Sequence, residues 1–178
     1  MIDFQKEYEK ALAGEYGRDL YEHLPWLIEY ASKCSHVTEF GVGWGESTRG
    51  FLSCDVILHS YEIKPWGVIL DLFKRCEEVG KAAYLHIGDI LKQTIDETDL
   101  LLIDTYHSYD QLKQELNLHA SKVRKYIFFH DTTLNGIVGT GGEEGLWKAI
   151  NEFLEQNSEW KLVEERTNCN GMTLIERV

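Results

Sequence analysis

The sequence predicts an α/β protein built on a seven-stranded, mostly parallel sheet with a C-terminal antiparallel hairpin and helices on both faces. Three observations carry this expectation. Short runs rich in apolar and aromatic residues alternate with segments of helical periodicity. Two of the runs, Leu100-Leu101-Leu102-Ile103 and Tyr126-Ile127-Phe128-Phe129, are apolar throughout, as central strands covered on both faces must be. The last two strands are separated only by Arg166-Thr167-Asn168-Cys169-Asn170-Gly171, which leaves no room for a helix and puts Asn170-Gly171 in a hairpin turn.

In chain order, residues 1–35 form a helical entry, with Leu20, Leu24, Leu27 and Ala31 at helical spacing and Pro25 starting a new turn. Strands follow at 37–41, 56–62, 82–87, 99–104, 125–130, 160–165 and 172–177, with helices in the gaps between the first six. Tyr109, Leu112, Leu116, Ala120 and Val123 line one face of one helix, and Leu146, Ala149, Ile150, Phe153 and Leu154 line one face of another. At 178 residues the chain reads as one domain, 1–178, long enough to bury about 70% of the surface its unfolded form exposes. There is no internal repeat, low-complexity stretch or linker.

Composition narrows the partners. Eighteen basic and thirty acidic residues give a net charge of −12, and no basic run occurs. Nucleic acid and anionic membranes are therefore not expected partners, since binding phosphates needs clustered Lys and Arg. Cys34, Cys54, Cys76 and Cys169 lie far apart with no C-x-x-C pairing, and the N-terminus lacks an apolar signal core. Both features read as reduced thiols in a cytoplasmic protein. No apolar stretch approaches the ~20 residues of a membrane span. Self-association is left open.

Chemistry begins at Val37-Thr38-Glu39-Phe40-Gly41-Val42-Gly43-Trp44-Gly45-Glu46-Ser47-Thr48, where a strand ends in three alternating glycines and leads into a helix. Such a loop lets a backbone pass close to a ligand, with the free amides of the helix start as donors. Glu62 ends the next strand about 20 residues beyond the first glycine, the separation at which a carboxylate accepts from a ribose. Together these features indicate a nucleoside. Glu46 occupies the place of the third glycine of a dinucleotide fingerprint and would repel a pyrophosphate, which argues against NAD.

The spacing of Glu39, Gly41, Gly43 and Gly45 resembles the first motif of the class I S-adenosylmethionine-dependent methyltransferases, E/D-x-G-x-G-x-G. That resemblance implies their Rossmann-like fold and S-adenosylmethionine as cofactor, whose sulfonium carries no phosphate to be repelled by nearby acids. It also implies that in His86-Ile87-Gly88-Asp89-Ile90 the Asp89 carboxylate accepts from the adenine amino group and Ile90 packs on the ring. A Gly-Asp turn with Asp89 as a helix cap is the other reading of that segment.

Ligands of such sheets sit beyond the carboxyl ends of the strands, and each central strand ends in polar residues. Asp104-Thr105-Tyr106-His107-Ser108-Tyr109 and His130-Asp131-Thr132 are similar to segments of the small-molecule O-methyltransferases related to the cephalosporin hydroxylase-like and macrolide-sugar methyltransferase group. In metal-dependent members, an acid after strand four and two adjacent acids after strand five hold magnesium, and a histidine three residues past the first acid is the base. Asp104, Asp131 and His107 match, but His130 stands where the group has an acid. Imidazole disfavours magnesium and suits manganese, iron or zinc. Three readings stay open: His130 points into the core and two carboxylates hold the ion, His130 is itself a ligand, or no metal binds. Since successive strand residues face opposite sides, His130 turns away from Asp131 unless the chain bends.

The expected activity is methyl transfer from S-adenosylmethionine to a hydroxyl of a small molecule, a sugar or a secondary metabolite, assisted by a divalent cation such as Mg or Mn. The alternative is a non-methylating relative that keeps the nucleoside pocket, hydroxylase-like or a binding protein. His107, placed one turn into a helix beside Asp104, is the expected base, against the alternative of an exposed histidine at a helix start. The loop 139–144 is a flap over the acceptor pocket or a slack connection. Trp44, Trp66, Tyr106 and Tyr109 are candidates for an acceptor rim.

Overall fold

The computed structural model describes residues 2–17 and 19–178. Seven strands, β1 (His36–Phe40), β2 (Ile57–Glu62), β3 (Ala83–Ile87), β4 (Thr98–Ile103), β5 (Val123–His130), β6 (Trp160–Arg166) and β7 (Met172–Arg177), form one sheet in the order β3-β2-β1-β4-β5-β7-β6. The first five are parallel, and β7 runs antiparallel to both β5 and β6. Every expected strand is present to within two residues of its expected ends.

The apolar run of β4 alternates between two cores. Leu100 and Leu102 join Val37, Leu58, Phe128 and Leu174 on the face covered by α2 (Leu24–Ala31), α3 (Glu46–Leu52) and α4 (Gly67–Glu78). Leu101 and Ile103 join Phe40, Ile127, Phe129 and Ile175 beneath α5 (Tyr109–His119) and α6 (Leu146–Gln156). A period of two thus splits a continuous apolar run evenly between the faces.

Local chemistry sets the helix ends. Pro25 sits in the first turn of α2, and the Ser108 hydroxyl caps α5 by accepting from the Gln111 amide at 3.3 Å. This cap moves His107 out of the helix in which the sequence reading placed it: it lies two residues before α5, in the loop after β4. Val123, expected on the α5 face, opens β5 after a 3-10 turn at Ala120–Lys122. The β3–β4 connection holds only a 3-10 turn, Ile90–Lys92, where a helix was expected.

An additional helix, α1 (Phe4–Leu12), packs on α3. Glu7 accepts from Tyr16 Oη at 2.6 Å and pairs with buried Arg49 at 3.4 Å. The Arg49 guanidinium in turn donates to the Trp44 and Gly45 carbonyls at 2.7 and 2.9 Å. The N-terminal helix therefore braces the glycine loop from behind.

Two glycines of that loop differ in their constraint. A Cβ on Gly41, whose φ is +80°, would lie 1.8 Å from the Asp104 carbonyl oxygen, just beyond the paired ends of β1 and β4. A Cβ on Gly43, at φ +52°, would meet nothing within 4 Å. Gly41→Ala is expected to lower stability by several kcal/mol, on the scale of ~1–3 kcal/mol for strain plus a backbone clash. Gly43→Ala should cost only about 1–2 kcal/mol for its left-handed backbone. Chemical denaturation of the two variants checks the difference, and equal losses would contradict it.

Candidate functional site

One cavity of about 550 Å³ opens at the carboxyl ends of the strands, within the ~300–1,000 Å³ typical of small-molecule sites. Its wall at one end is Tyr61, Glu62, Ile63, Asp89, Ile90 and Leu91; Gly41 and Gly43 border it, and Asp19, Asp104, His107 and Asp131 line it as well. The sites expected after β1, β2, β3, β4 and β5 thus share one space.

Glu62 stands at the end of β2, where its Oε2 accepts from the Val42 and Gly43 amides at 3.0 and 3.3 Å and its Oε1 from the Lys64 amide at 3.0 Å. The carboxylate both shapes the glycine loop and faces the cavity. Asp89 caps the 3-10 turn by accepting from the Leu91 amide at 3.0 Å and pairs with Lys92 at 2.9 Å, while also lining the cavity. Asp89 is thus the cap of the turn and also borders the cavity.

Glu39 is placed differently from its motif neighbours. It is fully buried behind the loop and outside the cavity lining, and it accepts from the hydroxyls of Ser47 (2.6 Å), Thr48 (2.9 Å) and Ser60 (2.6 Å). The carboxyl thus ties β1, β2 and the start of α3 together. Gly45 is likewise structural in position, with its φ at +80° and Arg49 and Ile69 against the place of a Cβ.

At the other end, the loop after β4 brings His107 Nε2 to 3.2 Å from Asp104 Oδ1 and 2.9 Å from Asp131 Oδ2. Asp131 has a φ of +59°, so the chain bends immediately after β5. That bend lets two successive residues reach the same point, and His130 Nδ1 lies 3.2 Å from Asp104 Oδ1 and 3.3 Å from Asp131 Oδ2. Its Nε2 lies 2.9 Å from the Asp19 carbonyl and 3.1 Å from that of Cys169, which makes it a donor. The turn of the terminal hairpin secures this corner, with Thr133 and Leu134 amides both donating to the Asn170 carbonyl at 2.9 Å.

Burial opposes the charged imidazole of His107, yet the hydrogen bonds and charges of Asp104 and Asp131 outweigh it and raise its pKa to about 9. His130 rises to about 11 despite burial, through the charge and hydrogen bond of Asp104 and then those of Asp131. Burial likewise pushes Asp104 and Asp131 up, but the two histidines hold Asp104 well below the carboxylate range and Asp131 at about 2.

A metal fits the donor set. Ligand atoms of Asp104, His107 and Asp131 lie within 4.8 Å of one another, and Asp131 Oδ1 is buried without a partner. Mixed carboxylate and imidazole donors suit manganese, iron or zinc more than magnesium.

Three acids near the site carry no motif. Asp19, from the entry segment, lines the cavity. Glu46, the departure from the dinucleotide fingerprint, is buried at the start of α3, where burial and its hydrogen bond to Asp19 raise its pKa to about 8. Glu115 on α5 accepts from Thr105 Oγ1 at 2.7 Å and Gln111 Nε2 at 2.8 Å. Trp44 and Trp66, expected at the rim, stack on each other at 4.9 Å while remaining more than half exposed, and neither lines the cavity. The loop after β5 lays its Thr140 amide on the His107 carbonyl at 3.0 Å, beside the cavity-lining Tyr106.

The raised value for Glu39 has a thermodynamic consequence. Its pKa is about 7 in the folded protein against 4.5 unfolded, so the stability it contributes is complete below about 4.5 and lost as pH rises through 7. Glu39→Gln is expected to flatten the fall in melting temperature between pH 5 and 8, with a residual slope from Glu46 and Glu115. An unchanged slope would show that Glu39 is ionised in the folded state.

No family model matches the sequence, and no curated protein does. Among solved structures, a caffeoyl-CoA O-methyltransferase-like protein from Staphylococcus aureus superposes with a TM-score of 0.70 at 14% identity, over 100% of this chain and 93% of that one. Magnesium protoporphyrin IX methyltransferase from Synechocystis PCC 6803 with bound S-adenosylhomocysteine gives 0.68 at 12%, over 100% and 89%. The N-methyltransferase NodS from Bradyrhizobium japonicum WM9, in complex with the same compound, gives 0.64 at 15%, over 99% of both chains. With its strand order, terminal hairpin and glycine loop, the chain has the fold of the class I S-adenosylmethionine-dependent methyltransferases.

Proposed function

We propose that the protein transfers a methyl group from S-adenosylmethionine to a hydroxyl of a small molecule, of the sugar or secondary-metabolite class. The observation that carries this reading is the single cavity in which Glu62, Asp89 and Ile90 line the same space as Asp104, His107 and Asp131. Glu62 is suited to the ribose hydroxyls, Asp89 to the adenine amino group and Ile90 to the ring. Gly43 leaves room for the methionine chain. S-adenosylmethionine-dependent methyltransferases of the same fold, including two with S-adenosylhomocysteine bound, support the cofactor assignment.

The sulfonium is already activated, so the protein must align acceptor oxygen, methyl carbon and sulfur, and remove the acceptor's proton. His107 is the group we assign to the proton. Its Nε2 is engaged by the Asp104 and Asp131 carboxylates, which leaves Nδ1 to accept the proton; the same carboxylates favour the charged ring, and the cationic cofactor opposes it. A divalent ion, when bound, would be held by Asp104 and Asp131 with Nδ1 of His130, whose Nε2 is committed to the Asp19 and Cys169 carbonyls, and would supply Lewis acidity toward the acceptor hydroxyl.

His107→Ala is expected to lower turnover by about 10²- to 10⁴-fold with cofactor affinity nearly unchanged. Steady-state kinetics alongside S-adenosylhomocysteine titration measures both, and retained turnover would remove His107 from the mechanism. If the acids hold an ion, exhaustive chelation should stop transfer, with manganese or zinc restoring it better than magnesium. Full activity after chelation would assign the proton step to the side chains alone. Gly43→Val should abolish S-adenosylhomocysteine binding while the protein stays folded; equal affinity would displace the cofactor from this loop.

A further inference from the structure

The sheet has two margins, β3 and β6, and they are built differently. Along β6 stand Lys161, Glu164, Glu165 and Arg166, and its register with β7 shifts between Leu162 and Glu164. Charges and bulges of this kind keep an edge from pairing with another chain. β3 reads Ala83-Tyr84-Leu85-His86-Ile87, without Lys, Arg, Asp, Glu, Gly or Pro, and its register with β2 is regular.

The backbone of this edge is open. The Ala82 carbonyl accepts from the Leu58 amide and the Gly88 amide donates to the Glu62 carbonyl, so even-numbered residues turn their polar groups toward β2. Those of Leu85 and Ile87, with the Ala83 carbonyl, therefore point away from the sheet. Leu85 packs on the core beneath α4, and it lines a groove of about 720 Å³ with Ile87 and with Leu70 and Phe73 of α4. On the opposite face Tyr84 lies beside His59 and His86 stacks on Tyr61, at ring distances of 5.0 and 4.4 Å. Tyr84 is 51% exposed and Ile87 60%.

An antiparallel copy of the same strand fits this edge. A two-fold axis at Leu85 makes Leu85 and Leu85 of the partner subunit a hydrogen-bonded pair, and lets the Ile87 amide donate to the carbonyl of Ala83 of the partner subunit. The large Ile87 then faces the small Ala83 of the partner subunit, and Tyr84 faces His86 of the partner subunit. The same axis lays the two α4 helices side by side in opposite directions. Lys74 and Glu77 border the groove and have no ion-pair partner among the described residues, so across the axis they become complementary charges. This reciprocity of size and charge singles out a second copy over an unrelated extended peptide.

We infer that two copies of this chain join their sheets through β3, edge to edge, in a symmetric dimer. Because the two β3 strands run oppositely, the cavities open at opposite ends of the joined sheet.

Sedimentation velocity over a range of concentrations tests the inference. The wild type should reach twice the chain mass of 20.6 kDa. Tyr84→Lys and Ile87→Lys change exposed side chains, so both should fold, and each should raise the dimer dissociation constant about 100-fold or more by burying an unpaired charge. Val163→Lys on β6 should leave it unchanged. Lys74→Glu should weaken the dimer about tenfold, and Lys74→Glu with Glu77→Lys should restore it. A wild type that stays monomeric throughout, or a dimer that neither β3 substitution weakens, would overturn the inference; failure of the charge exchange to restore pairing would overturn the two-fold axis at Leu85.

Discussion

The site depends on one close approach, that of Gly41 to Asp104 just beyond the paired ends of β1 and β4. These adjacent parallel strands feed α3 and α5 to opposite faces of the sheet, and a crevice opens where the winding reverses. Only a residue without a side chain can pass the Asp104 carbonyl at that distance. The same contact sets the glycine loop beside Asp104, so the loop and the Asp104–His107–Asp131 group become neighbours through backbone geometry.

Around this contact the protein compensates carboxylates in three ways. Glu39 is deeply buried and is met by three hydroxyls, which lets it act as a strut between strands and helix. Glu62 is met by backbone amides, which fixes the loop while keeping the carboxylate at the cavity. Asp104 and Asp131 are met by two imidazoles, groups that can change charge during a reaction. Burial works against ionisation of Glu39, Asp104 and Asp131, and the kind of partner decides the outcome: hydroxyls leave Glu39 raised to about 7, whereas histidines keep Asp131 at about 2.

The sheet was legible because its signals are local. Two-residue periodicity, apolar runs and the Asn170-Gly171 turn each act over a few residues, and the strands lie where those signals put them. The cavity's order followed from the rule that ligands meet strand ends. What sequence could not supply was the direction of side chains after the strands. Alternation along β5 turned His130 away from Asp131, but the left-handed backbone of Asp131 overrides it, and no residue type announces that bend. Glu39 shares the motif's spacing with the glycines yet is buried behind the loop, where the hydroxyls of Ser47 and Thr48 on α3 and Ser60 on β2 hold its carboxyl. Asp19 was invisible because it belongs to no motif and reaches the site only through tertiary packing.

The β3–β4 connection shows how a missing element shapes what remains. A helix there would cover the face of β1, β2 and β3; instead Ile90 and Ile95 from a short segment pack against Phe40 and Tyr61. Farther from the cavity the covering thins, and His36, His59 and His86 stay partly exposed, with His59 Nδ1 and His86 Nε2 3.0 Å apart. Burial holds all three below the usual imidazole range, so the row stays neutral and adds no charge to the sheet. In exchange, the chain turns directly from β3 into Asp89, Ile90 and Leu91, which stand at the cavity wall. The rigid end of a parallel strand thus positions these residues, and a 3-10 turn capped by Asp89 itself suffices to hold them.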